Sequence, residues 1–356
     1  MDGPMANGLR NGGMVRFVFL LLVGFGMVGC PPPEEPPVGP EEVHGWTTLE
    51  PFPEARTEVS VTSDGERVYV IGGFVPPENE TPDERPPVAE DMYAYDPLAN
   101  TWLNLGPIPA GTHHAGFVHV DGRLYIVGGY RDNTFEPVGQ LHIYDIATGE
   151  WSEGEPVPTP RGALAYAVLD GRIHTVGGTV TDKGALEHEA HNTDSPDASV
   201  GTHEVYDPWT DSWERRAPMP TARNHHAAET VGGRLYVTAG RAGDNFTMTV
   251  TEAYDPATDQ WEEVAPLPTG RSGVAAAEVD GWLYLFGGET FDPDDTRTFD
   301  DAERYDPIQD RWDVLDPMPT ARHGLGAGVI AGMIHVVSGG PEPGFSFGRA
   351  NERYVP

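Results

Sequence analysis

Short apolar runs recur along the chain, and each ends in small residues followed by a polar stretch of variable length. Examples are RLYIVGG at 123–129 and WLYLFGG at 282–288. Apolar runs this short, bounded by glycine and by turn signals such as Asp121-Gly122, are typical of β-strands. The pattern predicts four strands in each unit. These are a strand that ends at the hairpin, the apolar run, a strand that carries a tyrosine, and a strand that begins at a tryptophan.

This unit occurs six times along the sequence. Each of six tryptophans is followed by prolines five and seven residues later, and in five units by an arginine ten residues later, with Thr112 as the exception. Two small residues stand sixteen residues beyond that position, and a tyrosine precedes the next tryptophan by seven. The tryptophans are Trp46, Trp102, Trp151, Trp213, Trp261 and Trp312. Such regularity predicts a repeat architecture built from one four-stranded unit.

A double glycine, followed by a tyrosine at a fixed distance before a tryptophan, resembles the kelch repeat, and the resemblance covers residues 44–356. It implies an all-β fold, a six-bladed kelch-type β-propeller with four antiparallel strands per blade. Trp46 has no tyrosine strand before it, and Tyr354 has no tryptophan strand after it. We therefore expect the N-terminal strand to complete the sixth blade and close the ring, and the repeated residues to be structural.

The N-terminal region has the composition of an export signal. Thirteen apolar residues, Phe17–Gly29, follow Arg16 and are too few to span a bilayer. We interpret residues 1–29 as a signal peptide, with Met14 as a candidate true start. Residues 27–30 resemble a bacterial lipobox, which implies that Cys30 is lipidated; an ordinary signal peptide that contains a cysteine is the alternative.

Residues 30–43 then form a tether rich in proline and glutamate, which we expect to be extended. The protein is thus expected to be exported and held by a lipid at a bacterial outer membrane, in the periplasm or at the cell surface. No contact with the membrane other than the lipid anchor is expected.

Composition excludes several functions. The formal net charge is −34, which repels phosphate backbones and argues against nucleic acid as a partner. Cys30 is the only cysteine, so neither a disulfide framework nor a thiolate zinc site is expected.

The length variation of the repeats falls between the glycine pair and the tyrosine, which places variable loops on one face of the ring. Variable loops on a rigid scaffold commonly carry binding sites. Polar residues eleven and twelve positions after the tryptophan begin the innermost strands at this end. The candidate ligand-binding residues at this mouth are Glu58, His113, His114, Asn224, His225 and His323. Imidazoles beside a carboxylate suit a metal, a sugar or acid–base chemistry, or else they bond backbone carbonyls between blades.

Two further clusters are weaker metal candidates. His188 and His191 lie in the long loop of the third repeat, at a spacing that differs from that of metalloprotease histidines. Asp292 and Asp294 lie in an acidic loop of the fifth repeat that suits calcium but lacks EF-hand spacing. Solvated polar loops are the alternative in both cases, and no cofactor other than possible calcium is expected.

No catalytic motif is present, because the sequence has neither a nucleophile elbow nor a phosphate-binding loop. Kelch propellers include binding modules, scaffolds and a few enzymes, so the resemblance favours a module that binds a protein or glycan of the envelope or exterior. The alternative is a periplasmic or extracellular carbohydrate-active enzyme. Sialic-acid mutarotases are similar in architecture, although no catalytic residues match them one by one.

Overall fold

The computed structural model describes residues 44–78, 85–180 and 199–356. Within these ranges the protein is built from β-strands, with a single short 3-10 helix at Asp132–Thr134. None of the described residues forms a helix long and apolar enough to cross a bilayer. The predicted signal peptide, Cys30 and the tether lie outside the described residues.

The described strands form six four-stranded antiparallel sheets, which are the six predicted blades. We number the blades along the chain and give the strands of each from the innermost outward. Blade one comprises Ser60–Ser63, Val68–Ile71, Asp91–Asp96 and Thr101–Pro107. Blade two comprises Gly116–Val120, Arg123–Val127, Leu141–Asp145 and Glu150–Gly154. Blade three comprises Ala165–Leu169, Arg172–Val176, His203–Asp207 and Ser212–Arg215. Blade four comprises Ala227–Val231, Arg234–Thr238, Thr251–Asp255 and Gln260–Val264. Blade five comprises Ala275–Val279, Trp282–Phe286, Ala302–Asp306 and Arg311–Val314. Blade six comprises Gly326–Ile330, Met333–Val337, Asn351–Val355 and Gly45–Thr48.

The sixth blade is completed by the N-terminal strand, as the repeat count predicts. Gly45–Thr48 pairs antiparallel with Asn351–Val355, and Trp46 stands opposite Tyr354. The two rings are 5.0 Å apart, and Trp46 also meets the edge of Phe286. The innermost strand of blade one packs on the innermost strands of blades two and six, so the circle of blades is continuous.

The repeated aromatic residues have the structural role expected of them. The tryptophan and tyrosine of each blade pack with ring centroids 4.9–5.3 Å apart. In five blades the indole N–H also donates to a backbone carbonyl of the preceding blade, as Trp213 does to Glu155. These contacts fix the outer strand of one blade to its neighbour and leave the inner ends of the blades to form the site.

Short additional strands lie at the loop end of the blades. Thr112–His113, Tyr130–Arg131 and Glu136–Pro137 form a three-stranded sheet in blade two, and Glu289–Thr290 pairs with Arg297–Thr298 in blade five. In all six blades an antiparallel β-bridge joins the residue eleven positions after the tryptophan to the residue that follows the small pair, as between His113 and Tyr130. This bridge brings the base of each variable loop beside the start of an innermost strand.

Candidate functional site

A circle of left-handed residues stands at the loop end of the central channel. The residues twelve positions after each tryptophan all have φ between +51° and +66°; they are Glu58, His114, Ala163, His225, Gly273 and Gly324. The left-handed region is costly for residues with a side chain, and such residues concentrate at functional sites. Four of the six nevertheless carry one.

Backbone hydrogen bonds connect this circle from blade to blade. The N–H of Ala163 donates to the carbonyl of His114 (3.1 Å), that of His225 to Ala163 (3.0 Å) and that of Gly273 to His225 (2.9 Å). The same pattern continues to Gly324, whose carbonyl accepts from the N–H of Val59 (3.2 Å). These bonds join the inner ends of blades two to six and reach blade one through Val59, and the side chains of Glu58, His114 and His225 lie close together at this circle.

Glu58 and His114 form the centre of the site. Glu58 Oε2 lies 3.0 Å from His114 Nε2, and the ring centroids of His114 and His225 are 4.8 Å apart. Burial by itself would raise the pKa of Glu58, but the nearby His114, His323 and His225 outweigh it and hold that pKa well below its usual value. Glu58 is therefore a carboxylate at neutral pH.

Neighbouring groups determine the proton positions on the histidines of blade two. His113 Nε2 lies 2.8 Å from the carbonyl of Asp132, which only accepts, so this nitrogen carries the proton. His113 Nδ1 is then an acceptor, and His114 Nδ1 donates to it over 2.6 Å. Burial and the neighbouring His114 lower the pKa of His113, which keeps it neutral. The Nε2 atom of His114 is left facing Glu58.

His225 is oriented by Arg241 and Asn224. The Arg241 guanidinium donates to His225 Nε2 (3.0 Å), so the proton of the neutral ring lies on Nδ1 and is donated to Asn224 Oδ1. Asn224 Nδ2 in turn donates to Ser199 Oγ (2.8 Å). Burial and the positive charge of Arg241 lower the pKa of His225. Both nitrogens of this ring are thus already engaged.

Glu289 and His323 complete the cluster on the side of blades five and six. Arg241 donates to Glu289 Oε1 (3.1 Å), and the backbone N–H of Gly344 donates to Glu289 Oε2 (2.9 Å). His323 Nε2 lies 3.4 Å from Glu289 Oε2 and 3.6 Å from Glu58 Oε1. Of the six candidate mouth residues, the structure thus brings Glu58, His114, His225 and His323 together, while His113 and Asn224 hold their neighbours in place.

Aromatic side chains from the loops cover this cluster. Phe74 packs on His113 with centroids 4.1 Å apart, Phe135 meets the same ring at 4.8 Å, and Phe345 meets Phe74 at 5.2 Å. The side chains of Glu58, His114 and His323 are exposed by only 9%, 3% and 1%. These three acid–base side chains are thus almost fully buried.

Arg241 and Glu289 belong to the cluster but were not predicted from the sequence. Both follow directly after the small pair of their repeat, at the position that bridges to the residue eleven after the tryptophan. This position lies at a constant distance from the tryptophan in every repeat and beside the mouth. A comparison of the six repeats at this position would therefore have identified both residues. The buried glutamate two residues before the tyrosine in four repeats was missed in the same way.

The opposite end of the channel is open and wider. A cavity of about 340 Å³ runs between the innermost strands, among side chains that include His119, Tyr166, Glu229 and Glu278. Burial raises the pKa of Glu229 to about 7, and the charge of Glu278 acts in the same direction. This cavity contains a carboxyl group that can exchange a proton near neutral pH.

The weaker metal candidates remain predictions. His188 and His191, like Cys30, lie outside the described residues. Asp292 Oδ1 accepts the backbone N–H of Asp294, and both residues belong to the surface loop of blade five. Within the described ranges, the convergent sets of ligand atoms are instead Glu58 with His114 and His225, and Glu58 with Glu289 and His323.

These features define a closed six-bladed β-propeller with a buried histidine–glutamate cluster at one end of its channel. The model of the KLHDC2/KLHL20/DRC7 Kelch-repeats domain matches residues 42–214, and that of the Kelch motif matches residues 222–268 and 270–319. The chain belongs to the kelch-repeat family.

Curated relatives include kelch proteins and a sugar epimerase. The chain is 26% identical to kelch-like protein terF of Aspergillus terreus over 90% of its own length and 69% of the relative. It is 32% identical to kelch repeat and BTB domain-containing protein 12 of Danio rerio, over 24% of this chain and 14% of that one. It is also 32% identical to N-acetylneuraminate epimerase of Salmonella typhi, over 26% of this chain and 24% of that one.

A solved structure shares the fold. The structure of YjhT superposes with a TM-score of 0.70, covering 86% of this chain and 96% of that one at 16% identity. At this identity the likeness concerns the architecture alone.

Proposed function

We propose that this protein is an exported binding module whose ligand, a protein or glycan of the cell envelope or exterior, docks on the loop face. The loop face is the end of the ring that carries the variable connections, whose described parts include 130–140, 241–250, 289–301 and 340–350. The supporting observation is the sealed cluster, with Glu58, His114 and His323 each at most 9% exposed. A ligand at this end meets the outer loops rather than the acid–base groups.

The loop face offers mixed charge on a rigid base. The loop of blade five exposes Asp294, Asp295 and Arg297, while its backbone is fixed by the pairing of Glu289–Thr290 with Arg297–Thr298. Arg297 stacks over Phe299, with its guanidinium carbon 4.3 Å from the ring centroid. A preorganised polar loop of this kind binds with little ordering cost, which suits a specific surface ligand.

A glycan array and a pull-down from envelope extract test this proposal, with the immobilised full chain as bait. We expect a reproducible glycan or protein ligand, and we expect its loss when residues 293–297 are replaced by glycine and serine. Leu98→Ser and Ile308→Ser are the controls, since both side chains are more than 90% exposed on the turns at the other end of the blades. Binding that survives the loop replacement but is lost in the controls would refute the proposal, as would the absence of any ligand.

We also propose that Cys30 carries the lipid that holds the module at the membrane. The support is the short apolar segment that ends at the sole cysteine. Cys30→Ser should move the protein from the membrane fraction to the soluble fraction, and mass spectrometry of the native protein should find an acylated N-terminal Cys30. An unmodified N-terminus at another residue would contradict it.

A second candidate is a carbohydrate-active enzyme of sialic-acid mutarotase type that uses the open cavity. The cavity volume of about 340 Å³ lies within the range of small-molecule sites. Burial raises the pKa of Glu229 in this cavity to about 7. The stretch similar to N-acetylneuraminate epimerase is what suggests the substrate class.

The test of this candidate follows the interconversion of N-acetylneuraminate epimers by NMR. The full chain should accelerate it, Glu229→Gln should remove most of the acceleration, and the exposed Glu263→Gln should leave it unchanged. No acceleration by the unaltered protein would eliminate this candidate and leave the binding proposal standing.

A further inference from the structure

His323 presents a bare nitrogen to two carboxylates. Its Nδ1 lies 3.2 Å from the carbonyl of Gly340, which only accepts, so Nδ1 carries a proton and Nε2 is the ring nitrogen left to face the carboxylates. That Nε2 atom faces Glu289 Oε2 at 3.4 Å and Glu58 Oε1 at 3.6 Å and makes no hydrogen bond of good geometry. Three ligand atoms therefore face one another in a site where His323 is 1% exposed, and a cation between them would contact all three.

The charges around the site point the same way. Glu58 and Glu289 bring two negative charges, and Arg241, which is 4% exposed, offsets one of them through Glu289 Oε1. The second carboxylate, Glu58, lies 3.0 Å from His114 and is itself buried. Buried charges of this kind are paired or coordinate a metal.

The spacing of the three ligand atoms suits one small ion. Oxygen and nitrogen ligands at about 2.0–2.2 Å from a tetrahedral ion stand roughly 3.3–3.6 Å apart. The two separations from His323 Nε2 are 3.4 and 3.6 Å, and the whole set of atoms lies within 4.8 Å. One imidazole and two carboxylates suit a divalent ion of the zinc type, whereas calcium takes six to eight oxygens.

A second layer of contacts holds each ligand in position. The His323 ring is oriented by Gly340, Glu289 Oε2 accepts from the N–H of Gly344, and Glu58 Oε2 lies against His114. Metal-ligating histidines commonly donate their other N–H to a carbonyl in this way. His225 is less suited as a ligand, because Arg241 already donates to its Nε2 atom.

The ion has a route from the channel. Glu58 lines a cavity of about 90 Å³ together with His114 and His225, and this cavity shares Tyr166 and His226 with the lining of the larger open one. Gly324 keeps the space beside Glu58 free, because a Cβ there would lie 2.9 Å from the Glu58 carboxyl carbon. The carboxylate is thus reached from the side that the aromatic residues do not cover.

We propose that Glu58, Glu289 and His323 bind one divalent transition-metal ion of the zinc type at the loop end of the channel. Three protein ligands leave one position of a tetrahedral ion for a water molecule or another ligand. This inference is independent of what the loop face binds.

Calorimetry with Zn²⁺ tests the site, on the full chain purified without a histidine tag and stripped with a chelator. We expect one ion per chain and a higher melting temperature with zinc present. His323→Gln should weaken binding by at least 100-fold. His335→Gln is the matched control, since it alters another buried histidine of the same blade, beside Tyr95 and away from the cluster, and should bind zinc as the parent does.

A second measurement uses the unaltered protein, so its result does not depend on whether the His323→Gln variant folds. Bound Co²⁺ should give the visible absorption of a four- or five-coordinate ion with oxygen and nitrogen ligands. Equal zinc affinity in His323→Gln and the parent would overturn the proposal. It would also be overturned if the stripped parent bound neither ion and NMR showed His323 as an imidazolium, since a proton would then occupy the gap.

Discussion

Arginine side chains are among the most deeply buried groups in this protein. The arginines ten residues after the tryptophan are at most 1% exposed, and in blades three to six each pairs with the glutamate two residues before the tyrosine, at 2.5–2.8 Å. Blade two has Thr112 and His142 at these two positions and lacks both charges. In blade one Tyr93 stands at the glutamate position, and the buried Arg56 pairs with Glu54 instead, at 2.7 Å. Each buried arginine thus keeps a counter-charge, because an unpaired buried charge is costly.

This pairing yields a prediction for Arg223 and Glu252. Arg223→Thr should lower the free energy of unfolding by about 3–5 kcal/mol, because the Glu252 carboxylate loses its buried counter-charge. The double variant Arg223→Thr, Glu252→His reproduces blade two and should cost clearly less. Urea denaturation of the parent, the single variant and the double variant measures the difference. A double variant less stable than the single one would contradict this account.

The outer strands of the blades could be predicted from the sequence, whereas the inner ends could be predicted only in part. The repeat spacing predicted the blade number and the closing strand, because each outer strand is marked by its tryptophan and each third strand by its tyrosine. The left-handed residues of the inner ring were not predicted, since only Gly273 and Gly324 are glycines. His114 and His225 were found from their position in the repeat. Glu289 and Arg241 also stand at a constant position, directly after the small pair, but the residue type there differs from repeat to repeat.

The closing strand gives a prediction at this scale. Deletion of residues 43–53 should cost several kcal/mol of unfolding free energy, because it removes Trp46 from its contacts with Tyr354 and Phe286 and exposes a strand edge. Deletion of residues 31–42 should change stability very little, because the described strands do not include them. Thermal unfolding of both truncations makes the comparison, and equal melting temperatures would contradict closure by this strand.

The molecule as a whole combines a strongly acidic sequence with neutral buried histidines. Burial lowers the pKa of His174 and His226 to about 3 and of His203 and His335 to about 4. Each folded value lies below that of the unfolded chain, near 6.5, so the unfolded state binds more protons below this pH. Their contribution to stability is complete above pH 6.5 and is lost as the pH falls towards 4.

Glu229 acts in the opposite direction. Its folded pKa of about 7 lies above the unfolded value of 4.5, so its effect on stability improves as the pH falls from 7 to 4.5. One such carboxyl group offsets one of the four histidines, and a net loss from the titration of these five groups is expected on acidification.

His174 allows this to be measured. Its Nδ1 lies 2.9 Å from His203 Nε2, and an asparagine amide can replace that donor without a titrating ring. Between pH 6.5 and 5, His174→Asn should lose about 2 kcal/mol less unfolding free energy than the parent. Urea titrations of both proteins at the two pH values provide the comparison, and parallel losses would show that His174 does not titrate on unfolding.

The pairing of Trp46 with Tyr354 also governs the order in which the ring is made. These partners are separated by almost the whole propeller, so the last blade cannot form until the final strand has left the ribosome. Contacts of such long sequence separation slow folding, because the entropy of the intervening chain is lost before they form. Until then, Gly45–Thr48 has no partner strand, and its unpaired edge is open to aggregation while the rest of the propeller is synthesised.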